Sequence, residues 1–195
     1  MITIGLTGSI GMGKSTLAAQ CALLGAKTLN SDEVVHWLMQ PNGRAFSSVA
    51  KLFPSAAVAG TIDRKKLGSI VFGNDAELKK LEAILHPLVR DEEQKFASAM
   101  RRKGAKAVVF DIPLLFETDG DEWMDASLVA TAPPFIQAQR VMARPNMTAE
   151  KFKAILKKQM PDIEKRNRAD FIVHTGLGKA ASMRQIKAMF RMLGL

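Results

Sequence analysis

Apolar positions fall in short runs and in helical stripes along this chain. Met1 to Leu6 reads M-I-T-I-G-L, a strand pattern. Lys27 to Leu29 is a candidate second strand, closing on Asn30-Ser31-Asp32. Ala107 to Phe110 is wholly apolar and ends at Asp111, the signature of a buried parallel strand. Leu128 to Thr131 and Phe171 to Val173 predict two more strands. Between them the spacing is helical. Leu17, Ala18, Cys21 and Leu24 share one face, and Gly25 ends that helix. A second helical stretch runs to about Met39 and breaks at Gln40-Pro41-Asn42-Gly43. Phe53 to Gly60 is expected as loop. Asn74-Asp75-Ala76-Glu77 reads as a capped helix start. Leu78, Leu81, Leu85 and Leu88 then hold one face, with Pro87 expected to bend or break the helix near His86. Met183, Ile186, Phe190 and Leu193 predict a closing amphipathic helix.

Strands alternating with helices define an α/β class with a parallel sheet. The mainly helical stretch from Asp32 to Lys106 is too long for one crossover, so it is expected to form a helical lobe beside the sheet. The 195 residues suit one domain with small inserted lobes. With 47% hydrophobic residues the chain can bury a core, which excludes global disorder. The single Cys21 excludes an internal disulfide framework and a four-cysteine zinc site. The absence of tyrosine excludes phenol chemistry. No apolar run approaches a membrane span and no signal-peptide pattern opens the chain, so a cytoplasmic location is expected.

The net charge of +9 points to an anionic partner, either nucleic acid or a polyphosphate. Six of those charges are local. Residues 140–168 hold nine lysines and arginines against three acids. This stretch is either a solvated helix face or a mobile arm that closes over phosphates.

Gly8-Ser9-Ile10-Gly11-Met12-Gly13-Lys14-Ser15 fits G-x-x-x-x-G-K-[ST] in full, after a strand and opening a helix. Glycines let successive N–H groups converge on a phosphate, and the helix N-terminus adds positive potential. Met12 serves through its backbone. Lys14 can reach the β- and γ-phosphates, the Ser15 hydroxyl can ligate Mg²⁺, and Thr16 is placed for the α-phosphate. The motif establishes nucleotide binding, not the phosphate acceptor. Asp32, just beyond the second strand, is either a general base for an acceptor hydroxyl or the N-cap of a helix beginning near Glu33. Asp111, at the carboxyl end of its strand, is a candidate Mg²⁺ ligand. Glu117 and His86 are candidates for substrate contact, each with a structural alternative. Trp37 and Trp123 are candidates for an adenine pocket or for packing.

These residues, taken in order, resemble the dephospho-CoA kinase family. The resemblance is carried by Gly5-Leu6-Thr7-Gly8 through Thr16, then Ser31-Asp32-Glu33 with His36. Leu85-His86-Pro87-Leu88-Val89-Arg90 follows, then Asp111-Ile112-Pro113-Leu114-Leu115-Phe116-Glu117. Arg140 to Arg144 and Ala169 to Val173 complete it. The resemblance implies a P-loop NTPase core with a parallel sheet (about 1–31, 104–139 and 169–195). It also implies an inserted helical CoA-binding lobe (about 32–103) and a helical lid (about 140–168). It implies transfer of the ATP γ-phosphoryl group, with Mg²⁺, to the 3′-hydroxyl of dephospho-CoA. The family's base falls on Asp32, its lid arginines on Arg140 and Arg144, and its substrate-binding motifs on His86, Arg90, Asp111, Leu115 and Glu117. Three places depart from the family's pattern. Asn30 stands where the family usually has the first Asp of D-x-D. Pro145-Asn146 follows Arg144, and Met160 to Arg166 follows Gln159 where an arginine pair is common. The expected partners are ATP and dephospho-CoA, with no nucleic acid or membrane, in a monomer or weak homo-oligomer. The residues alone leave two alternatives open: a nucleoside or nucleoside-monophosphate kinase, and a nucleotide-switched nucleic-acid-binding module.

Overall fold

The short apolar runs assemble into one five-stranded sheet in a computed structural model that describes all of residues 1–195. The elements, in chain order, begin with β1 (Ile2–Thr7), α1 (Lys14–Leu23), β2 (Lys27–Asn30) and α2 (Ser31–Leu38). Next come α3 (Phe46–Leu52), β3 (Ala57–Val58), β4 (Thr61–Ile62), α4 (Arg64–Val71) and α5 (Asp75–Arg102). The chain continues through β5 (Ala107–Asp111), β6 (Ala126–Thr131), α6 (Pro134–Met142), α7 (Ala149–Lys158), α8 (Asp162–Arg168), β7 (Phe171–His174) and α9 (Lys179–Met192). The sheet order is β2-β5-β1-β6-β7. β1 pairs in parallel with β5 and β6, and β6 with β7.

Strands β5 and β6 are buried at every position, which is why their sequences read as unbroken apolar runs rather than alternations. Ile4, Leu6, Leu17, Cys21, Val109, Leu128, Ile186 and Phe190 share one core cluster, so α1 and α9 pack together against the sheet. Burial pushes the Cys21 thiol up to about 12, consistent with a packing residue. Two carboxylates tie strand ends. Asp125 Oδ2 accepts from the N–H and hydroxyl of Thr3 at 2.7 and 2.8 Å. Asp170 Oδ2 accepts from the N–H and hydroxyl of Ser127 at 2.8 and 2.7 Å. The backbone bond from Thr3 holds the Asp125 carboxyl below its usual range.

The chain divides into two units, residues 1–29 with 99–195, and residues 30–98. The sheet and the glycine-rich loop belong to the first. The second is mainly helical, with two departures from expectation. Residues 53–60 are not simply loop: Pro54–Ala56 form a 3₁₀ turn, and β3 and β4 pair as an antiparallel hairpin. Its two turn residues, Ala59 and Gly60, have φ of 48° and 75°, as a type I′ turn requires. Strands of two residues carry no periodicity to read. The second correction concerns Pro87. It does not break the helix, for α5 runs unbroken over 28 residues. Proline removes one intrahelical bond, and buried Leu81, Leu85 and Glu93 anchor α5 on both sides of it.

Candidate active site

The loop from Gly8 to Gly13 leaves the carboxyl end of β1 and enters α1. Gly11 and Gly13 have φ of 79° and 89°, a left-handed backbone that other residues adopt only under strain. Space forbids a side chain there too. A Cβ at Gly11 would lie 2.5 Å from Val141 Cγ2, and one at Gly13 would lie 2.9 Å from Thr175 Oγ1. Thr16 and Leu17 donate back to the Gly13 carbonyl at 3.1 and 3.2 Å. The N–H groups of Lys14 and Ser15 keep the open valence of a first helical turn. No side chain caps α1 and no acid occupies its first turn, so its positive end is left for an anion.

Lys14 and Asp111, 97 residues apart in sequence, form an ion pair through Nζ and Oδ1. Parallel register explains the meeting: Leu6 of β1 lies opposite Asp111 at the end of β5, so both chain ends exit on the same edge. Asp111 is buried, and the Lys14 ammonium balances its charge. Ser15 is exposed at the start of α1 and Thr16 half-buried beside it. Met12 is buried, and its Sδ accepts from Ala132 N–H at 3.1 Å, so its side chain serves packing while its amide lines the loop.

Arg140 leaves the last turn of α6 and reaches the loop. It donates to Thr175 Oγ1 at 2.9 Å, to the Thr175 carbonyl at 2.8 Å and to the Gly11 carbonyl at 3.4 Å. Thr175 Oγ1 donates in turn to the Met12 carbonyl at 2.7 Å. Arg144, just past α6, is exposed, with no hydrogen bond or ion pair to its side chain. Asn146 two residues on turns the chain with φ 58°. Helix α7 has no fully buried residue, whereas α8 carries Lys165, which is 0% exposed.

Glu117 holds Lys165. Its Oε1 accepts from Met160 N–H at 2.8 Å and its Oε2 from Lys165 Nζ at 3.0 Å. Lys165 also donates to the Pro113 carbonyl at 3.2 Å. Burial pushes the Lys165 ammonium below the usual lysine range, and Glu117 pulls it part of the way back. Leu115 is fully buried with Phe116 and Val129. Arg168 lies over the Phe116 ring and grips Asp121 with Nη2 at 3.0 Å. Trp123 packs against Phe110 with centroids 4.9 Å apart.

In the second unit, Asp32 sits in the first turn of α2 and is exposed. It is not the N-cap. Asn30 is, with Oδ1 accepting from Asp32 N–H at 2.9 Å and Glu33 N–H at 3.3 Å. An asparagine oxygen caps as well as an aspartate's, so the departure at Asn30 leaves the helix start intact and the Asp32 carboxylate without a capping duty. Ser31 Oγ donates to Glu93 at 2.6 Å and pins the same turn. Burial raises the Glu93 carboxyl above its usual range. His86 and Arg90 stand one turn apart on α5, His86 exposed and Arg90 half-buried. Trp37 is 53% exposed on α2.

Sequence reasoning missed four residues that surround the loop: Gln137, Gln159, Thr175 and the burial of Lys165. None carries a motif signal, and Lys165 is hidden in the charge count of the basic stretch.

A parallel sheet whose first strand feeds a glycine-rich loop, with a lysine on a carboxylate from the neighbouring strand, defines a P-loop kinase. The comparisons are specific within that class. The dephospho-CoA kinase family model matches residues 2–179. The dephospho-CoA kinase of Mesorhizobium japonicum is 51% identical over 189 residues, covering 97% of this chain and 95% of its own. A crystal structure of a Thermus thermophilus protein superposes with a TM-score of 0.85 at 35% identity, over 98% of this chain and 97% of that one. The structure of dephospho-CoA kinase from Campylobacter jejuni gives a TM-score of 0.71 at 29% identity, over 98% and 96%. The chain belongs to the dephospho-CoA kinase family.

Proposed function

We propose that this chain transfers the γ-phosphoryl group of ATP to the 3′-hydroxyl of dephospho-CoA, giving coenzyme A and ADP. The observation that carries the reading is the phosphate cradle from Gly8 to Thr16, with Lys14 poised on Asp111, in a chain matched by the family across residues 2–179.

The chemistry follows from charge. Phosphoryl transfer asks the protein for position and for electrostatic stabilisation rather than for covalent steps. The amides of Gly11, Gly13, Lys14 and Ser15 hold the phosphate chain, with the Thr16 hydroxyl beside them. The N–H groups of Met12 and Thr16 are engaged with the Ser9 and Gly13 carbonyls, each at 3.1 Å, and shape the loop. Lys14 exchanges Asp111 for the β- and γ-phosphates and stabilises charge that builds in transfer. Asp32 accepts the proton of the attacking hydroxyl, an office its free carboxylate suits. Arg140 braces the loop against Thr175 and lies beside the nucleotide. Arg144, exposed and without a side-chain partner, closes over the phosphates with the basic arm and stabilises the transition state. His86 and Arg90 contact the acceptor, while Leu115 and Glu117 shape the loop that follows Asp111.

The donor set fits Mg²⁺ in the P-loop manner. The Ser15 hydroxyl, next to Lys14 in the chain, and the Asp111 carboxylate, paired with Lys14, would hold the ion together with phosphate oxygens. Bound there, the ion would neutralise phosphate charge. No helix is long and apolar enough to cross a membrane. We assign the reaction to the cytoplasm, carried out by a monomer or weak homo-oligomer.

An acceptor panel tests the assignment. With ATP and Mg²⁺, dephospho-CoA is expected to be phosphorylated far faster than nucleosides or nucleoside monophosphates. Faster turnover of a nucleoside monophosphate would replace the reading. Salt-steep binding of RNA or DNA without phosphoryl transfer would replace it with a nucleic-acid module.

A further inference from the structure

Both backbone groups of Ile10, at the tip of the phosphate loop, are held by side-chain amides. Its carbonyl accepts from Gln137 Nε2 at 2.8 Å, and its N–H donates to Gln159 Oε1 at 3.0 Å. Gln137 lies in α6, before the exposed part of the basic arm. Gln159 ends α7, after it. The two glutamines bracket the arm and meet on one residue, holding the peptide units on either side of the Ile10 Cα, although one is 127 and the other 149 residues from Ile10.

Each glutamine is itself fixed. Gln137 is 6% exposed, and Val141, one turn on, fills the space a side chain at Gly11 would need. Gln159 is followed by Met160, whose N–H is bound to Glu117. Glu117 is paired with buried Lys165, and Lys165 donates to the Pro113 carbonyl. Thr7 Oγ1 donates to that same carbonyl at 3.0 Å. The bonds form a closed circuit, from the end of β1 through Pro113, Lys165, Glu117 and Met160 to Gln159 and back to the loop.

We propose that Gln159 and Gln137 are positioning residues of the phosphate loop. They hold the Ile10 peptide so that the loop amides converge before ATP arrives, and they tie the roots of the arm to that loop. This deepens the reading of the loop as the ATP site and rests on it. The contrary role would make Gln159 a plug that a phosphate displaces from the Ile10 N–H. A plug needs freedom to withdraw, and the Met160–Glu117–Lys165 anchor fixes the backbone from which Gln159 reaches the loop, leaving only a side-chain rotation for release.

The test uses the full chain and three variants: Gln159→Ala, Gln159→Glu and Gln137→Glu. The probe is Mg²⁺ with a non-hydrolysable ATP analogue, measured by calorimetry beside steady-state kinetics and thermal melting. One neutral hydrogen bond corresponds to about a three- to ten-fold change in an equilibrium. Gln159→Ala is expected to weaken the analogue and raise KM for ATP by about that factor. KM for dephospho-CoA and Tm should barely move, and Ile10 amide exchange in the free protein should quicken. The two glutamate variants add the same charge. Gln159→Glu retains an acceptor for the Ile10 N–H, whereas Gln137→Glu loses the donor to its carbonyl, so Gln137→Glu should bind the analogue more weakly. Unchanged analogue affinity in Gln159→Ala would overturn the proposal, and tighter binding would establish the plug instead. The analogue needs no acceptor, so a clamp that fails in a chain that binds ATP is distinct from a failed acceptor assignment. A wild-type chain that binds no analogue overturns both.

Discussion

Glu117→Gln is a sharp probe of how the loop surroundings are held. The change keeps the side chain's shape and an oxygen for Met160 N–H, but removes the charge facing Lys165. Lys165 is 0% exposed, so its ammonium has no water to fall back on and only the Pro113 carbonyl and an amide oxygen as acceptors. Removing one partner of a buried pair costs about 3–5 kcal/mol. Glu117 is 17% exposed and the glutamine still accepts a bond, which places the loss below that range, at about 2–3 kcal/mol. For a chain of this size that lowers Tm by about 5–10 °C. The loss carries a pH signature. Burial already sets the native Lys165 pKa below its unfolded value, so between the two the unfolded chain binds more protons and stability rises with pH. Without Glu117 the native pKa falls further and that window opens at lower pH. The variant's deficit should therefore be largest at the low end of the pH range and shrink as pH rises through the native Lys165 pKa of the wild-type chain. The double change Glu117→Gln with Lys165→Met should recover most of it, because no unpaired charge stays buried. Thermal melts from about pH 6 to pH 10 read all three. A deficit of less than a degree, or one that grows with pH, would refute the reasoning.

Three further outcomes concern the proposed chemistry. Lys14→Ala should lower kcat by about 10²–10³ while the fold survives, checked by turnover and circular dichroism; near-normal turnover would remove Lys14 from the site. Asp32→Asn should lower kcat by about 10²–10⁴ with little change in Tm, because Asn30 and not Asp32 caps α2. Arg144→Ala should lower kcat more than it weakens ATP, Arg144→Lys should recover part of the loss, and the exposed arm through α7 should gain amide protection only with ATP analogue and acceptor together.

Long signals were the legible ones. Strand patterns located all five sheet strands. β1, β5 and β6 are buried along nearly their whole length and so leave little polar interruption, while β2 and β7 at the sheet edges are partly exposed and read only as short runs. The glycine-rich motif located the cradle, because a lysine and a helix start at fixed spacing permit few other geometries. The β3–β4 hairpin was invisible, since two-residue strands have no period. Pro87 does not break α5, because local propensity yields to a helix anchored on both sides. Around the loop, the contacts of Gln137, Gln159 and Thr175 span more than a hundred residues and use neutral side chains. Lys165 looked like one more surface charge, and only the fold reveals that it is buried against Glu117.

The most direct test of the account is one reaction: purified full-length chain, ATP, Mg²⁺ and dephospho-CoA, with the product resolved by mass spectrometry and its phosphate position assigned by NMR. The expected result is time-dependent formation of coenzyme A, one phosphoryl group added at the ribose 3′-hydroxyl, with ADP released in equal amount. ATP turnover without a phosphorylated product, or phosphate delivered to another hydroxyl, would contradict it.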